Sequence, residues 1–128
     1  MRTFIKIKLN ESLKNYNDDS IDLTKIEISM DIINNLLVFL PFYGDERMGS
    51  FRLKQVKDGF KIESTLIYDR FKNKHVGSHV YLEIINALKN EGYKLYSDDN
   101  QTEDAKHVWD SLVSKGLAIK NGNQYSSI

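Results

Sequence analysis

The first half of the chain alternates between apolar and polar residues, which is the pattern of half-buried β-strands. The alternation predicts strands over residues 4–9 and 21–30, and an apolar stretch predicts another over residues 36–43. This third stretch contains Pro41, the only proline. Because proline donates no backbone hydrogen bond, it favours an edge position or a bulge.

The segments between these strands are less regular. Residues 10–20 are polar and predict a loop with room for barely one helix, while residues 31–37 fit either a short helix or an extended connection. Residues 49–57 and 60–69 then flank Asp58-Gly59, a dipeptide that favours a two-residue hairpin turn. The apolar end of this second strand predicts burial on both of its faces.

The second half changes to a helical period. Apolar residues spaced three or four apart predict a helix over residues 76–91, which Gly92 ends, and a short strand follows over residues 93–96. A second helix is predicted over residues 102–115, with Thr102 as its N-cap.

This second helix has an apolar face that includes Trp109 and Leu112, both expected to be buried against the sheet. A terminal hairpin around Asn121-Gly122 completes the order. This order of strands and helices predicts one α/β (α+β) domain over residues 1–128, with a mixed, mainly antiparallel sheet flanked by helices. No internal repeat and no linker is evident in the sequence.

Composition narrows the classes of function. The 128 residues include 18 basic and 18 acidic ones, so the net charge of zero argues against general nucleic-acid binding. No cysteine is present, which excludes disulfides, zinc-thiolate sites and a cysteine nucleophile. With no apolar run long enough to cross a bilayer, we expect no membrane association and a cytoplasmic protein.

The junction between the strand that ends near Asp69 and the first helix is the best candidate for chemistry. Its loop over residues 70–75 is basic, and Gly77 opens the helix. Backbone N–H groups at a helix N-terminus bind anions such as phosphate, and lysines add positive charge. A solvated basic turn before an ordinary helix explains the same residues equally well.

Residues 71–78, followed by Val80-Tyr81, resemble the acetyl-CoA motif of the GNAT (Gcn5-related) N-acetyltransferases. In this resemblance Lys72 takes the position of an arginine or glutamine, His75 that of the first glycine and Gly77 that of the second. The resemblance continues, in the order that the family requires and with greatest similarity to phage-encoded GNAT-like proteins, through Ser97, Asp98, Thr102, Ala105, Val108, Trp109, Leu112, Gly116 and Leu117.

The resemblance implies a GNAT-like fold with a reduced N-terminal helical region and acetyl-CoA as a substrate. The backbone amide of Ile67 would polarise the thioester carbonyl. The pyrophosphate of CoA would be held by the loop and first helical turn, namely Lys72, Asn73, Lys74, His75, Val76, Gly77 and Ser78.

Catalytic side chains are harder to assign. Glu63 is a candidate base on the strand before the loop, and Asp98 a candidate ligand for the substrate amine. An outward-facing strand residue and a solvated or helix-capping carboxylate are the alternatives. Trp109 stands where the family often has a tyrosine acid, and its indole cannot take that role.

Several tyrosines and histidines are further candidates for acid–base or metal chemistry. Tyr93, Tyr96 and Tyr125 could each supply a hydroxyl acid, although packing is the ordinary role of such residues. His75 and His79 are four residues apart with no identifiable third ligand, so no metal site is expected.

The sequence and its resemblance to the GNAT family are compatible with two functions. The first is acetyl-CoA-dependent transfer of an acetyl group to an unknown amine or protein acceptor, without a metal. The alternative, which the similarity to phage-encoded proteins suggests, is a catalytically silent GNAT-like protein that binds a host or virion protein, in the host cytoplasm or the virion. Its recognition surface would be the acidic stretch of Asp98, Asp99, Glu103 and Asp104.

Overall fold

The computed structural model describes the backbone of residues 3–6 and all of residues 21–128. The predictions for residues 7–20, including the end of the first strand, the polar loop and the reduced N-terminal helical region, lie outside the described residues.

One mixed sheet organises the part of the chain that the structure describes. Its order is β1-β2-β3-β5-β6-β7-β9-β8, with β4 paired to β3. Every strand pair is antiparallel except β6 and β7, which are parallel. The strands are β1 (Thr3–Lys6), β2 (Ile26–Ile33), β3 (Leu36–Tyr43), β4 (Glu46–Arg47), β5 (Gly49–Val56), β6 (Gly59–Ile67), β7 (Lys94–Tyr96), β8 (Ala118–Asn121) and β9 (Gln124–Ser127).

Two α-helices in the described residues pack on this sheet. Helix α1 (Val76–Asn90) connects the parallel strands β6 and β7, as a parallel pair requires, and helix α2 (Glu103–Ser114) contacts α1 and β8. Both predicted helices are therefore confirmed to within one residue at each end. The hydroxyl of Thr102 accepts a hydrogen bond from the amide of Ala105 at 3.1 Å, which confirms the predicted N-cap.

The core between α2 and the sheet is aromatic. Trp109 is 1% exposed and stacks on Tyr125, with ring centroids 5.7 Å apart and planes 18° apart. The ring of Tyr81 of α1 lies 5.7 Å from the same indole, and Leu112 belongs to the same buried core cluster. The predicted burial of Trp109 and Leu112 is confirmed.

The connection over residues 31–37 is a tight hairpin. Asn34 and Asn35 form its two-residue turn, and both have left-handed φ angles, of 52° and 65°. Asparagine tolerates this conformation better than most residues, which makes an Asn-Asn turn possible without glycine. A predicted strand over residues 21–30 is wrong at its start, because Leu23–Lys25 is a 3-10 turn capped by Asp22 and β2 begins at Ile26.

Pro41 lies in an interior strand, so the predicted edge position is wrong, but the expectation that this is not an uninterrupted central strand is confirmed. Strand β3 pairs with β2 along its full length, but on its other side it pairs with β5 at residues 37–39 and with β4 at residues 42–43. Pro41 occupies the gap between these two partners, where its carbonyl accepts a hydrogen bond from the Met48 amide at 2.8 Å. The missing N–H is tolerated at this interruption.

Two predicted turns are displaced by one residue. The turn between β5 and β6 is Lys57-Asp58, and the terminal turn is Gly122-Asn123. Gly59 belongs to β6, where a Cβ atom would lie 2.0 Å from the carbonyl oxygen of Lys94. Glycine is therefore required at this position because β7 approaches closely, and not because of the turn.

Candidate active site

Strands β6 and β7 separate after a short stretch of pairing. Their parallel ladder joins Gly59–Lys61 to Lys94–Tyr96, and β6 continues to Ile67 without a described strand on that side. Backbone N–H and C=O groups along this edge therefore face an opening in the sheet.

A β-bulge marks where the separation begins. Arg52 pairs with Ser64 and Leu53 with Ile62, so Glu63 has no partner in β5. A bulge increases the local twist of a strand and turns its end away from the plane of the sheet. The predicted burial of both faces of β6 is wrong here, because residues 63–66 are exposed and Leu66 is 47% exposed.

A cleft of about 520 Å³ fills the opening between β6, the loop after it, the start of α1 and the start of α2. This volume lies within the range of small-molecule sites. The apolar part of its wall comes from several elements, and consists of Phe51, Leu66, Ile67, Phe71, Val76, Tyr81, Ala105 and Val108.

The loop before α1 carries two residues in the left-handed conformation. Asn73 has a φ angle of 61° and His75, the N-cap of α1, one of 66°. His75 provides no side-chain cap, and the first helical hydrogen bond runs from the amide of His79 to the carbonyl of His75. The amides of residues 76–78 precede that bond and have no partner within the helix.

This first turn of α1 faces the cleft, so the predicted anion site and the cavity coincide. Gly77 has a helical backbone, and a Cβ atom added to it would meet only Cγ2 of Val108, at 3.9 Å. The space beside this amide is therefore open, as an approaching anion needs. Lys72, which is exposed, holds the carboxylate of Asp69 at 3.0 Å, a weak surface pair that a phosphate could replace.

A smaller pocket of about 200 Å³ adjoins the cleft and shares four wall residues with it. The shared residues are Thr65, Tyr81, Thr102 and Ala105. Its remaining wall brings together residues of β6, the loop after β7 and α2, namely Ile62, Glu63, Ser64, Asp98, Asn100, Gln101 and Trp109.

The structure thus places most of the predicted site residues around two connected pockets. The two candidate carboxylates, Glu63 and Asp98, are 35 residues apart in the chain and line the same small pocket. Lys74 is the one predicted cofactor residue that does not line the cleft, while the other seven do, namely Ile67, Lys72, Asn73, His75, Val76, Gly77 and Ser78.

The three tyrosines considered as acids line neither pocket. Tyr125 donates a hydrogen bond to Asp110 at 2.5 Å, which raises the pKa of its hydroxyl to about 12. Tyr96 donates to both oxygens of Asp58, at 2.7 and 2.8 Å, and this hydrogen bond raises its pKa. Tyr93 packs edge-on against Phe60.

Tyr81 is the tyrosine that the sequence analysis missed as a site residue. It is 3% exposed, and its side chain lines both the cleft and the small pocket. Burial raises the pKa of its hydroxyl to about 12, against the lowering effect of a hydrogen bond with Thr65. Its place in the apolar stripe of α1 concealed it, because a tyrosine in such a stripe ordinarily belongs to the core.

Metal-binding clusters and membrane-spanning helices are both absent from the described residues. No group of three or more His, Asp or Glu side chains there could hold a metal ion. No helix in that part of the chain has the length and apolar character needed to cross a membrane.

The chain has the fold of the GNAT acetyltransferases. No protein-family model matches the sequence, and no curated protein does. Among solved structures, a GNAT family acetyltransferase from Elizabethkingia anophelis with acetyl-CoA bound is 14% identical, with a TM-score of 0.57 over 75% of this chain and 78% of that one.

Two further structures agree over nearly the full length. An IAA acetyltransferase from Bacillus cereus ATCC 14579 is 13% identical, with a TM-score of 0.59 over 99% of both chains. The E. coli protein YhhK, solved bound to coenzyme A, is 9% identical, with a TM-score of 0.56 over 99% of this chain and 98% of that one. At such identities these likenesses establish the mixed α+β fold with its mostly antiparallel sheet.

Proposed function

We propose that this protein is a GNAT-type N-acetyltransferase, which transfers the acetyl group of acetyl-CoA to an amine. One observation carries the proposal: the separation of β6 from β7 opens a cleft onto which the partnerless amides of α1 converge. Two solved proteins of this fold hold acetyl-CoA or CoA.

The phosphate end of acetyl-CoA belongs at the start of α1. The amides of residues 76–78 donate to the pyrophosphate, and the positive end of the helix dipole favours its charge. Lys72 adds a cation at the same rim of the cleft. His75 is compatible with this role, because it already adopts the left-handed φ angle that a glycine would take and remains exposed.

The reacting end lies along β6. An amide on the open edge near Ile67 would donate to the thioester carbonyl and polarise it, and the apolar wall of the cleft would contact the uncharged arm of CoA. The nitrogen of a neutral amine attacks the carbonyl carbon, the N–C bond forms and the C–S bond breaks. The nitrogen releases one proton and the departing thiolate accepts one, leaving an amide and the CoA thiol.

Glu63 and Tyr81 are the side chains placed to move these protons. Glu63 is exposed at the bulge and would pass the amine proton to water. The hydroxyl of Tyr81 is protonated at neutral pH and can donate a hydrogen bond to the departing sulfur, although burial, which raises its pKa to about 12, makes it a weaker acid than an ordinary tyrosine. Most of the rate enhancement is expected from positioning and carbonyl polarisation.

Isothermal titration calorimetry with acetyl-CoA and CoA tests the proposal. We expect micromolar affinity, roughly −8 kcal/mol, for the parent protein. Lys72→Glu should weaken CoA by about tenfold, since it reverses a charge beside the phosphates. Lys57→Glu, on the exposed β5–β6 turn, is the matched control and should leave the affinity unchanged.

Two variants in the first turn of α1 sharpen the test. Gly77→Val should abolish CoA binding by filling the open space beside Val108. Ala87→Val, which places the same branched side chain on the same helix outside the cleft lining, is the control and should leave the CoA affinity unchanged. His75→Gly should bind CoA as well as the parent or better. A parent that does not bind CoA contradicts the proposal.

The outcome also decides the alternative, a catalytically silent GNAT-like protein that acts by binding a protein partner. That reading requires a parent without CoA affinity, with His75→Gly regaining some. The cytoplasmic location, the similarity to phage-encoded proteins and a host or virion partner stay predictions.

A further inference from the structure

The face of the sheet that points away from the helices carries cations on three neighbouring strands. Phe51 and Leu53 of β5 belong to the core that α1 covers, and the ring of Phe51 lies edge-on to that of Tyr81, 5.4 Å away. Because side chains alternate between the two faces of a strand, Arg52 and Lys54 lie on the opposite face. Both are exposed.

The pairing register extends this row of cations across β6 and β7. Lys61 of β6 is the direct cross-strand partner of Lys54, so it lies on the same face. In β7, Leu95 is buried in the core, which places its neighbour Lys94 on the outer face as well. We call Arg52, Lys54, Lys61 and Lys94 the cationic strip.

An ion pair neutralises one of these four charges. Lys61 is paired with Asp99, with Nζ and Oδ2 2.6 Å apart. In the part of the chain that the structure describes, Arg52, Lys54 and Lys94 form no ion pair. Like charges directly opposite each other on adjacent strands, as Lys54 and Lys61 are, destabilise a sheet. A row of cations without counter-charges indicates a surface for an anionic partner.

Two further carboxylates belong to this end of the sheet, and neither pairs with the strip. Asp58, on the turn before β6, accepts hydrogen bonds from the hydroxyl of Tyr96 at 2.7 and 2.8 Å. Glu63 lies at the bulge of β6 and lines the small pocket. Three cations of the strip are therefore available to a partner.

The cationic strip begins at the rim of the small pocket. Arg52 is the direct partner of Ser64, which lines that pocket. Such partners have Cβ atoms about 5 Å apart. The small pocket in turn shares four wall residues with the cleft in which the thioester is expected. A molecule bound along the strip can thus place an amine at the reacting end of the cleft.

A polypeptide suits this surface better than a nucleic acid does. The net charge of the chain is zero, which argues against nucleic-acid binding. The amino groups of nucleobases are conjugated with the ring and are poor nucleophiles, whereas a polypeptide carries aliphatic amines. Arg52 and Lys54 are two residues apart on one strand, or about 6.8 Å, which is also the spacing of alternate side chains in an extended peptide.

We propose that the acceptor is an acidic polypeptide segment, whose Asp and Glu side chains bind the cationic strip while its primary amine enters the small pocket. This inference rests on the proposed acetyltransferase function. The transfer balances on this substrate. The amine nitrogen forms its bond to the acetyl carbon and releases one proton to water, the C–S bond breaks, and the thiolate takes up one proton. The products are an acetylated polypeptide and the CoA thiol.

Peptides of one length test the inference. Each has a free amino terminus and one lysine, followed by alanine alternating with glutamate, glutamine or arginine. In thiol release from acetyl-CoA, kcat/KM should be about tenfold higher for the glutamate peptide than for the glutamine peptide, and lowest for the arginine peptide. Raising the salt from about 50 to about 300 mM should reduce the preference, because salt screens exposed charges. Equal kcat/KM for the glutamate and glutamine peptides would overturn the inference.

A competition experiment separates a polypeptide surface from a nucleic-acid surface. A glutamate peptide with a blocked amino terminus and no lysine should inhibit acetylation of the glutamate substrate. A single-stranded DNA oligonucleotide of equal charge should inhibit less. If the oligonucleotide is the stronger inhibitor, the strip is a nucleic-acid surface and the inference is wrong.

Two double variants assign the preference to the strip. Arg52→Gln with Lys54→Gln should bring kcat/KM for the glutamate peptide to that for the glutamine peptide, whose own value should not change. Lys89→Gln with Lys106→Gln removes two exposed cations from the helices, outside both pockets, and should retain the preference. If both double variants keep the preference, the cationic strip does not bind the acceptor.

Lys54→Glu distinguishes loss of binding from loss of folding. It replaces a like-charge pair with an attractive one opposite Lys61, so its urea midpoint should be higher than that of the parent. Its preference for the glutamate peptide should nevertheless be lost. A variant that keeps this preference contradicts the inference.

The inference can fail while the proposed function stands. Acetyl-CoA binding with acetylation of all three peptides at equal kcat/KM would refute only the acceptor class. If CoA itself does not bind, the acetyltransferase proposal fails. Fluorescence anisotropy of labelled glutamate and glutamine peptides with the CoA-free protein then still shows whether the strip selects an acidic chain.

Discussion

His75 shows how a residue that departs from a motif can preserve its backbone. It stands where the resemblance expects glycine, and the structure gives it a φ angle of 66° at the N-cap of α1. Histidine, with Asn and Asp, is enriched among the non-glycine residues that adopt this conformation. The geometry of the loop is thus compatible with the substitution, although it carries strain.

His75→Gly should relieve that strain and raise the free energy of unfolding by about 1 kcal/mol, because glycine has no Cβ penalty at a left-handed φ angle. Urea denaturation of the parent and the variant measures this. Ser78→Gly is the control on the same turn: its backbone is helical, so it should lose about 0.5 kcal/mol. Destabilisation by His75→Gly would contradict the left-handed assignment.

At Gly59 the requirement for glycine comes from the lack of space for a Cβ atom. Gly59→Ala should destabilise the fold by about 3 kcal/mol, because its Cβ atom would lie 2.0 Å from the Lys94 carbonyl oxygen and force β6 and β7 apart. Gly44→Ala is the comparison. An added Cβ atom at Gly44 would have no atom within 4 Å, so only the left-handed φ angle of 63° opposes it, and the variant should lose about 1 kcal/mol of unfolding free energy. Equal losses in thermal or urea unfolding would count against the close approach.

At the scale of elements, helix α2 depends on its first turn. Thr102 caps the helix, and Glu103 and Asp104 place negative charge at its positive end. Thr102→Ala should lower the free energy of unfolding by about 1 kcal/mol, while Thr102→Ser, which keeps the hydroxyl, should lose much less. Urea unfolding of both variants checks this, and equal losses would show that the hydroxyl does not cap the helix.

Strand β6 shows where an element departs from its local pattern. Its alternation predicts a strand, but it does not indicate the bulge at Glu63 or the exposed run after it. The exposed run follows because β7 is only three residues long and leaves the rest of β6 without a neighbour on that side among the described residues. The bulge lies in the pairing with β5, on the other side of β6. The cleft of the candidate site lies where β6 continues beyond β7.

At the scale of the whole molecule, two buried tyrosines couple the stability of the fold to alkaline pH. Burial raises the pKa of Tyr81 to about 12, and the hydrogen bond to Asp110 raises that of Tyr125 to about 12, from an ordinary value of 10.0. The folded state therefore favours their protonated forms. Their contribution to stability is complete below pH 10 and is lost as the pH rises from about 10 to about 12.

Tyr125→Phe isolates one of these contributions. It should be less stable than the parent at neutral pH, because it loses the hydrogen bond to Asp110, and its stability should fall less steeply between about pH 10 and 12. Urea midpoints measured across this range test the slope. A variant as steep as the parent would show that Tyr125 titrates in the folded protein as it does in the unfolded chain.

The sequence by itself determined the two helices, most of the strands and the basic loop before α1. Helical period, the Thr102 cap and the basic residues before α1 are local features, and local backbone hydrogen bonding and side-chain polarity are sufficient to decide them. The seven cofactor-binding candidates that line the cleft were indicated by the resemblance to the GNAT family and not by these local features alone.

Only the tertiary structure decided what depends on residues far apart in the chain. The turn register at Lys57-Asp58 follows from the contact of Gly59 with Lys94, and Pro41 is tolerated in an interior strand because β3 changes partner there. Glu63 and Asp98 share a pocket because β6 and β7 pair and then separate. Close packing between distant segments decides these features, and the local pattern of polar and apolar residues does not indicate which distant segments will be in contact.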